Sequence, residues 1–234
     1  MEAMGGQEAM NHAQFLRFDW AVERGGKEVA HVHHLWDRST GRYRVEWKTK
    51  DGKNVQVLFD VDTKAGKVWI DGKPASPEDE NTYLGKAYGR FINDSYWLLM
   101  PCKLLDPHVN LDYQGEKEVD GKLYNVVHVT FDHVGLTPGD QYWAFLNKRT
   151  QIMDRWAYFL ESDKGTASLD SATVWDWKDW QDVGGGVKLA RDRVQVGGDE
   201  PHARIFFPVV AVLSKVDPKV FEKQDVSMPG EAKP

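Results

Sequence analysis

Cysteine is almost missing from this chain. The single one, Cys102, rules out an intramolecular disulfide, so packing and hydrogen bonds alone must hold the fold. That suits a reducing compartment and equally a disulfide-free periplasmic protein. Long apolar runs are also lacking. The best candidate, Trp97-Leu98-Leu99-Met100, stops at Pro101 and is flanked by Asn93, Asp94 and Lys103. A spanning helix needs ~20 apolar residues, so no transmembrane segment is expected. Positive charge is short too. The 30 Lys and Arg are outnumbered by 36 Asp and Glu, leaving a net charge of -6 with no dense basic cluster. Phosphate binding draws on a basic surface, so no nucleic-acid partner is expected. The opening MEAMGGQEAM has neither a basic n-region nor an apolar h-region. It reads as the start of a mature or trimmed chain, or of one that never carried an export signal. Cys102 is not a lipid-attachment residue, because it sits mid-chain behind Pro101. There is no G-x-S-x-G elbow, no H-E-x-x-H, no phosphate loop and no cysteine pair. No catalytic residue is assigned, and neither a cofactor nor a metal is expected.

What the chain has in quantity is tryptophan, ten residues from Trp20 to Trp180. Most fall in stretches of two-residue alternation. Leu16, Phe18, Trp20 and Val22 share one face, while Arg17, Asp19 and Glu23 share the other. Tyr43, Val45 and Trp47 repeat the pattern. Gly25-Gly26, Asp51-Gly52, Asp71-Gly72 and Asp120-Gly121 punctuate the runs as turns. The period then changes. Ser76-Pro77-Glu78-Asp79 combines a Ser cap, Pro at the first helical position and acids in the first turn, so a helix begins there. A second short helix is expected to restart at Asn93-Asp94 and to end at Pro101.

The fold class is therefore α+β, mainly antiparallel β. Ten to twelve strands form one strongly curved sheet, an incomplete barrel, and a central helical insertion covers its concave face. One domain is expected over residues 1–223, with 224–234 a loose polar tail.

Four local patterns are weighed against ordinary structure. His31 and His33 lie two apart, so a strand puts them on one face, where a third ligand such as His128 or Asp132 could complete a zinc site. The commoner reading is surface or hydrogen-bonded histidines. Asp60-Val61-Asp62 resembles a calcium loop but carries Lys64 at a ligand position, so it reads as a hairpin. Cys102 reads as a small buried hydrophobe. Trp175 and Trp177, with Asp176 between them, fit either a sugar-stacking platform or a packed strand.

The runs FINDSYWLLMPCKLLDPHVNL, HLWDRSTGRYRVEW and LTPGDQYWAFLNKRTQIMDRWAYF, with Gly5-Gly6 and Trp20 ahead of them, resemble a family of uncharacterised secreted bacterial proteins. In fold that family is similar to the periplasmic lipoprotein carriers and outer-membrane lipoprotein receptors of the LolA/LolB type. The resemblance spans roughly Met4 to Val216, with Cys102 standing where the family would have an aromatic residue. It implies a curved sheet with helices on its concave side and a periplasmic or extracytoplasmic location. The expected function is non-enzymatic binding of a lipid, a lipidated protein or another apolar small molecule. The expected lining residues are Phe91, Tyr96, Trp97, Leu98 and Met100 from the lid, with Trp20, Trp143 and Trp156 from facing strands. Carbohydrate or protein binding around a filled core, and an uncharacterised hydrolase using His128 and Asp132, stand as alternatives.

Overall fold

The computed structural model describes residues 2–198 and 201–230. A short helix α1 (Gly6–His12) leads into β1 (Phe15–Arg24), β2 (Lys27–Asp37), β3 (Arg42–Lys48), β4 (Asn54–Asp60), β5 (Gly66–Ile70) and the two-residue β6 (Lys73–Pro74). Helix α2 (Pro77–Leu99) follows, continued by a 3-10 turn over Met100–Cys102. The second run comprises β7 (Val109–Val119), β8 (Lys122–Phe131), β9 (Gln141–Asn147), β10 (Met153–Phe159), β11 (Thr173–Asp182), β12 (Lys188–Gln195), β13 (Arg204–Phe206) and β14 (Val210–Leu213). All fourteen strands belong to one sheet ordered β6-β5-β4-β3-β2-β1-β13-β12-β11-β10-β9-β8-β7, with β14 also on β1. The sheet is curved and unclosed.

This order explains the helix. The chain leaves the sheet at one edge strand, β6, and re-enters at the other, β7, so the connection must cross a face. At ~1.5 Å per residue the helix reaches about 35 Å, enough for that crossing. Ser76 caps it, its Oγ accepting from Asp79 N at 3.2 Å. The first half of α2 lays Tyr83, Leu84, Ala87, Tyr88 and Phe91 on Val32, Tyr43, Val45 and Val57, and the second half packs Leu98 and Leu99 on Leu16, Phe18 and Trp156. Leu98 and Met100 are fully buried, each stabilising the fold by about 2 kcal/mol.

Three details differ from the sequence expectation. The helix does not restart at Asn93-Asp94. It stays continuous because Asp94 faces the sheet, where its Oδ2 lies 3.2 Å from the buried His34 Nε2 and 3.5 Å from Arg90 Nη1. His34 stacks on Phe18 at 4.4 Å and meets Tyr43 Oη at 2.9 Å. Burial holds the His34 imidazole below its usual pKa, Asp94 opposing. The strand total exceeds twelve because β6 is added and because Pro208 divides the expected last strand into β13 and β14. Finally, residues 224–230 are not a loose tail. Residues 214–230 form a strap over the outer face, where Val216, Val220, Phe221 and Met228 pack on Phe15 and Leu35. Arg17 Nε donates to Pro229 O at 3.1 Å, Arg44 Nη1 to Val220 O at 2.9 Å and Gln56 Nε2 to Gln224 O at 3.1 Å. Residues 231–234 lie outside the described residues. No described helix is long and apolar enough to cross a membrane.

Candidate functional site

The candidate site lies where the second half of α2 meets β8 to β12 on the concave face. Strand alternation sends Phe131, Tyr142, Trp156, Tyr158, Trp175 and Trp177 toward the helix. The helix answers with two rings. Tyr96 sits 5.5 Å from Tyr142, 6.1 Å from Trp156 and 6.3 Å from Phe131. Trp97 sits edge-on to Trp156 at 4.8 Å, Trp175 at 5.1 Å and Tyr158 at 6.0 Å. Such edge-to-face contacts suit the ring quadrupoles. The floor is closed: Trp156 is 1% exposed and Trp177 2%. The rim is partly open, since Tyr96, Trp97, Tyr158 and Trp180 are only half-buried.

Two polar features stand out in and beside this apolar cluster. The indole N–H groups of Trp20, Trp156, Trp177 and Trp180 are buried and have no acceptor among the described residues, which is costly in a dry environment. Arg193 is 0% exposed. Its guanidinium lies over Trp177 at 4.0 Å and Phe207 at 4.5 Å, and it donates to Ala190 O at 2.6 Å and Leu98 O at 3.4 Å. No carboxylate pairs with it among the described residues. Ring faces and the carbonyls at the negative end of α2 balance its charge instead, and burial pushes its pKa well down. Burial also raises the Tyr96 and Tyr142 hydroxyl pKa values, so both stay protonated donors.

The expected lining residues divide into four groups. Tyr96, Trp97 and Trp156 come together as described. Leu98 and Met100 belong to the same cluster but are fully buried filler. Phe91 and Trp20 lie further along the helix, Phe91 against Trp36 at 5.1 Å and Tyr43 at 5.0 Å, with Trp20 half-buried between the two concave clusters. Trp143 is on the other face. It packs with Tyr124, Val126 and Phe145, stacks on His128 at 4.8 Å and lines an outer cavity of about 430 Å³. Trp175 and Trp177 are buried under the helix and form no outward platform. His128 is held by Gln141 at 2.9 Å and Asp132 by Asn110 at 2.9 Å, with six strands between them and the β2 histidines. Cys102 is buried, which raises its thiol pKa to about 11. Sequence reasoning missed Tyr142, Tyr158 and Arg193. The alternation in DRWAYF, which puts Trp156 and Tyr158 on one face, was the available signal for Tyr158; Arg193 had none.

Residues 38–180, well over half of the 234, match a family of unknown function designated DUF6503. The chain belongs to this family. Among solved structures, this DUF6503 member is similar to a LolA superfamily protein from Nitrosomonas europaea, with a TM-score of 0.51 and 8% identity over 93% of this chain and 97% of that one. It is similar also to a DUF1329 family protein from Desulfovibrio piger, with a TM-score of 0.50 and 12% identity over 93% and 97%. At those identities the likeness establishes a LolA-like fold. No curated protein matches the sequence.

Proposed function

We propose that this DUF6503 protein is a non-enzymatic binding protein of the bacterial envelope. Its ligand is a lipid, or the acyl chain of a lipidated protein, received between α2 and strands β8 to β12. The observation that carries this reading is the aromatic cluster itself, with a buried base, the partly exposed rings of Tyr96, Trp97, Tyr158 and Trp180 at its margin, and buried indole donors without acceptors. An acyl ester brings both the apolar chain and the oxygen acceptors. The LolA-like fold agrees with the reading.

The energetics allow it. Leu98 and Met100 already fill the floor, so a chain enters by displacing the rim rings. Each displaced ring costs about 2–3 kcal/mol of burial. A fourteen-carbon chain recovers ~11 kcal/mol at ~0.8 kcal/mol per buried CH₂. That gain exceeds the cost of moving two rings only where their movement opens room to bury most of the chain.

The test is titration with a fluorescent fatty acid, alongside native mass spectrometry of protein purified from cells. Trp97→Glu should abolish probe binding with the thermal transition retained, while Trp143→Ala, on the outer face, should leave it unchanged. Unaltered affinity in Trp97→Glu would remove the site. If that variant does not fold, Tyr158→Ala at the rim asks the same question.

A further inference from the structure

A second cluster lies on the outer face, away from the cleft. β1 and β2 pair so that Asp19 stands opposite His33 and Ala21 opposite His31. All three polar side chains therefore project from one face, with His31 diagonal to Asp19. His31 Nε2 lies 3.3 Å from Asp19 Oδ2, and His33 Nδ1 lies 2.9 Å from Asp19 Oδ1. The rings of His31 and His33 stack at 4.8 Å. One donor atom from each of the three residues fits within 4.8 Å of the others. Around a tetrahedral zinc with ~2.0–2.1 Å bonds, ligand atoms lie roughly 3.3–3.5 Å apart. Only small side-chain shifts separate this arrangement from a coordinating one.

The surroundings are organised. Asp19 is 5% exposed and forms the floor. Arg17 Nη1 holds its Oδ1 at 2.5 Å, which leaves Oδ2 for a further partner. Glu28 Oε1 lies 3.1 Å from His31 Nδ1. A carboxylate on the far nitrogen fixes the tautomer that presents Nε2, the outer-shell arrangement found behind metal-bound histidines. His31 and His33 both line a cavity of about 530 Å³ between the sheet and the strap residues Gln224 to Ser227.

We propose that Asp19, His31 and His33 form a binding site for one divalent transition-metal ion of the zinc, copper and nickel class. Two imidazoles select that class over calcium and magnesium, which take all-oxygen shells. The Arg17 charge beside Asp19 adds to the same selection, because it leaves little net negative charge to attract a hard cation. This departs from the expectation that no metal is held. It also replaces His128 and Asp132, the third ligands considered from sequence, with Asp19 from the adjacent strand.

The experiment is calorimetric titration of chelator-treated, tag-free full-length protein with zinc chloride, repeated with magnesium chloride. The expected result is one equivalent of zinc and no magnesium. His31→Ala and His33→Ala, at half-exposed positions, should remain folded with a cooperative melting transition in the absence of metal and weaken zinc binding at least 100-fold. Glu28→Gln should weaken it about tenfold, and His128→Ala should leave it unchanged. Absence of zinc binding to the wild type would overturn the proposal. So would wild-type affinity in both His31→Ala and His33→Ala, which would mean that zinc sits elsewhere.

Discussion

Replacing Gly85 and Gly89 together by alanine should stabilise the protein. Both lie inside α2 between Pro77 and Leu99. A Cβ built at either position meets no heavy atom within 4 Å, so neither glycine serves a close approach to the sheet. Glycine in a helix interior costs about 0.8–1 kcal/mol relative to alanine, mostly through the greater freedom of the unfolded chain. Two such positions give about 1.6–2 kcal/mol. For a chain of 234 residues, 1 kcal/mol moves the melting temperature by roughly 2–4 °C. The double variant should therefore melt about 3–8 °C higher, with a raised urea midpoint and an unchanged m-value. If α2 loosens to admit a ligand, the same variant should also take up an apolar probe more slowly. A melting temperature that is unchanged or lower would refute the reasoning, because it would mean that this part of α2 is not the free-sided helix described.

Other consequences follow from the outer face. Asp37 is buried and accepts from Ser39 Oγ at 2.7 Å and Arg42 Nη2 at 2.7 Å. Burial alone would raise its pKa, but Arg42, Ser39 and Thr40 lower it to about 2. Its folded-state pKa is depressed, so its contribution is fully present above the unfolded value and fades as pH falls from about 5 toward 2. Asp37→Asn should cost about 1–2 kcal/mol at pH 7, discounted for the exposed Arg42. Urea midpoints of the two proteins should converge near pH 2–3, and a constant gap would contradict the assignment. Met228→Ala should cost about 2–3 kcal/mol, since that strap side chain is 2% exposed against the outer face. A loss below 0.5 kcal/mol would show that the strap does not hold the outer face.

Much of the fold could be read locally. The Gly-containing turns gave the meander, and Ser76-Pro77 marked the helix start because the cap is a local device. Faces and registers were harder. Gln141 to Asn147 is apolar on both sides, with Tyr142 and Ala144 facing the helix and Trp143 and Phe145 facing out. Two-residue periodicity cannot assign a face to such a strand, which is why Trp143 and Trp156 were expected together. Arg17 and Asp19 looked solvent-facing because nothing local announces that residues more than two hundred positions later cover them. Asp19 likewise became a partner of His33 only through the β1–β2 register. The concave aromatic cluster is part legible, in DRWAYF, and part hidden, because Arg193 meets the end of α2 only in three dimensions.

The position of β1 carries a consequence for how the chain folds. β1 comes first among these strands in the sequence, yet it lies mid-sheet, bounded on one side by β2 and on the other by β13 and β14. Its second set of ladder partners, Arg204 to Phe206 and Val210 to Leu213, belongs to the last strands of this sheet in sequence order. Each meander can form early from neighbouring hairpins, but the seam between them waits for all the intervening strands. Until then the free edge of β1 is open to pairing with any passing strand. Stopped-flow refolding should therefore show its slowest step at this seam, where loop closure is longest, and that step should be the one most sensitive to protein concentration.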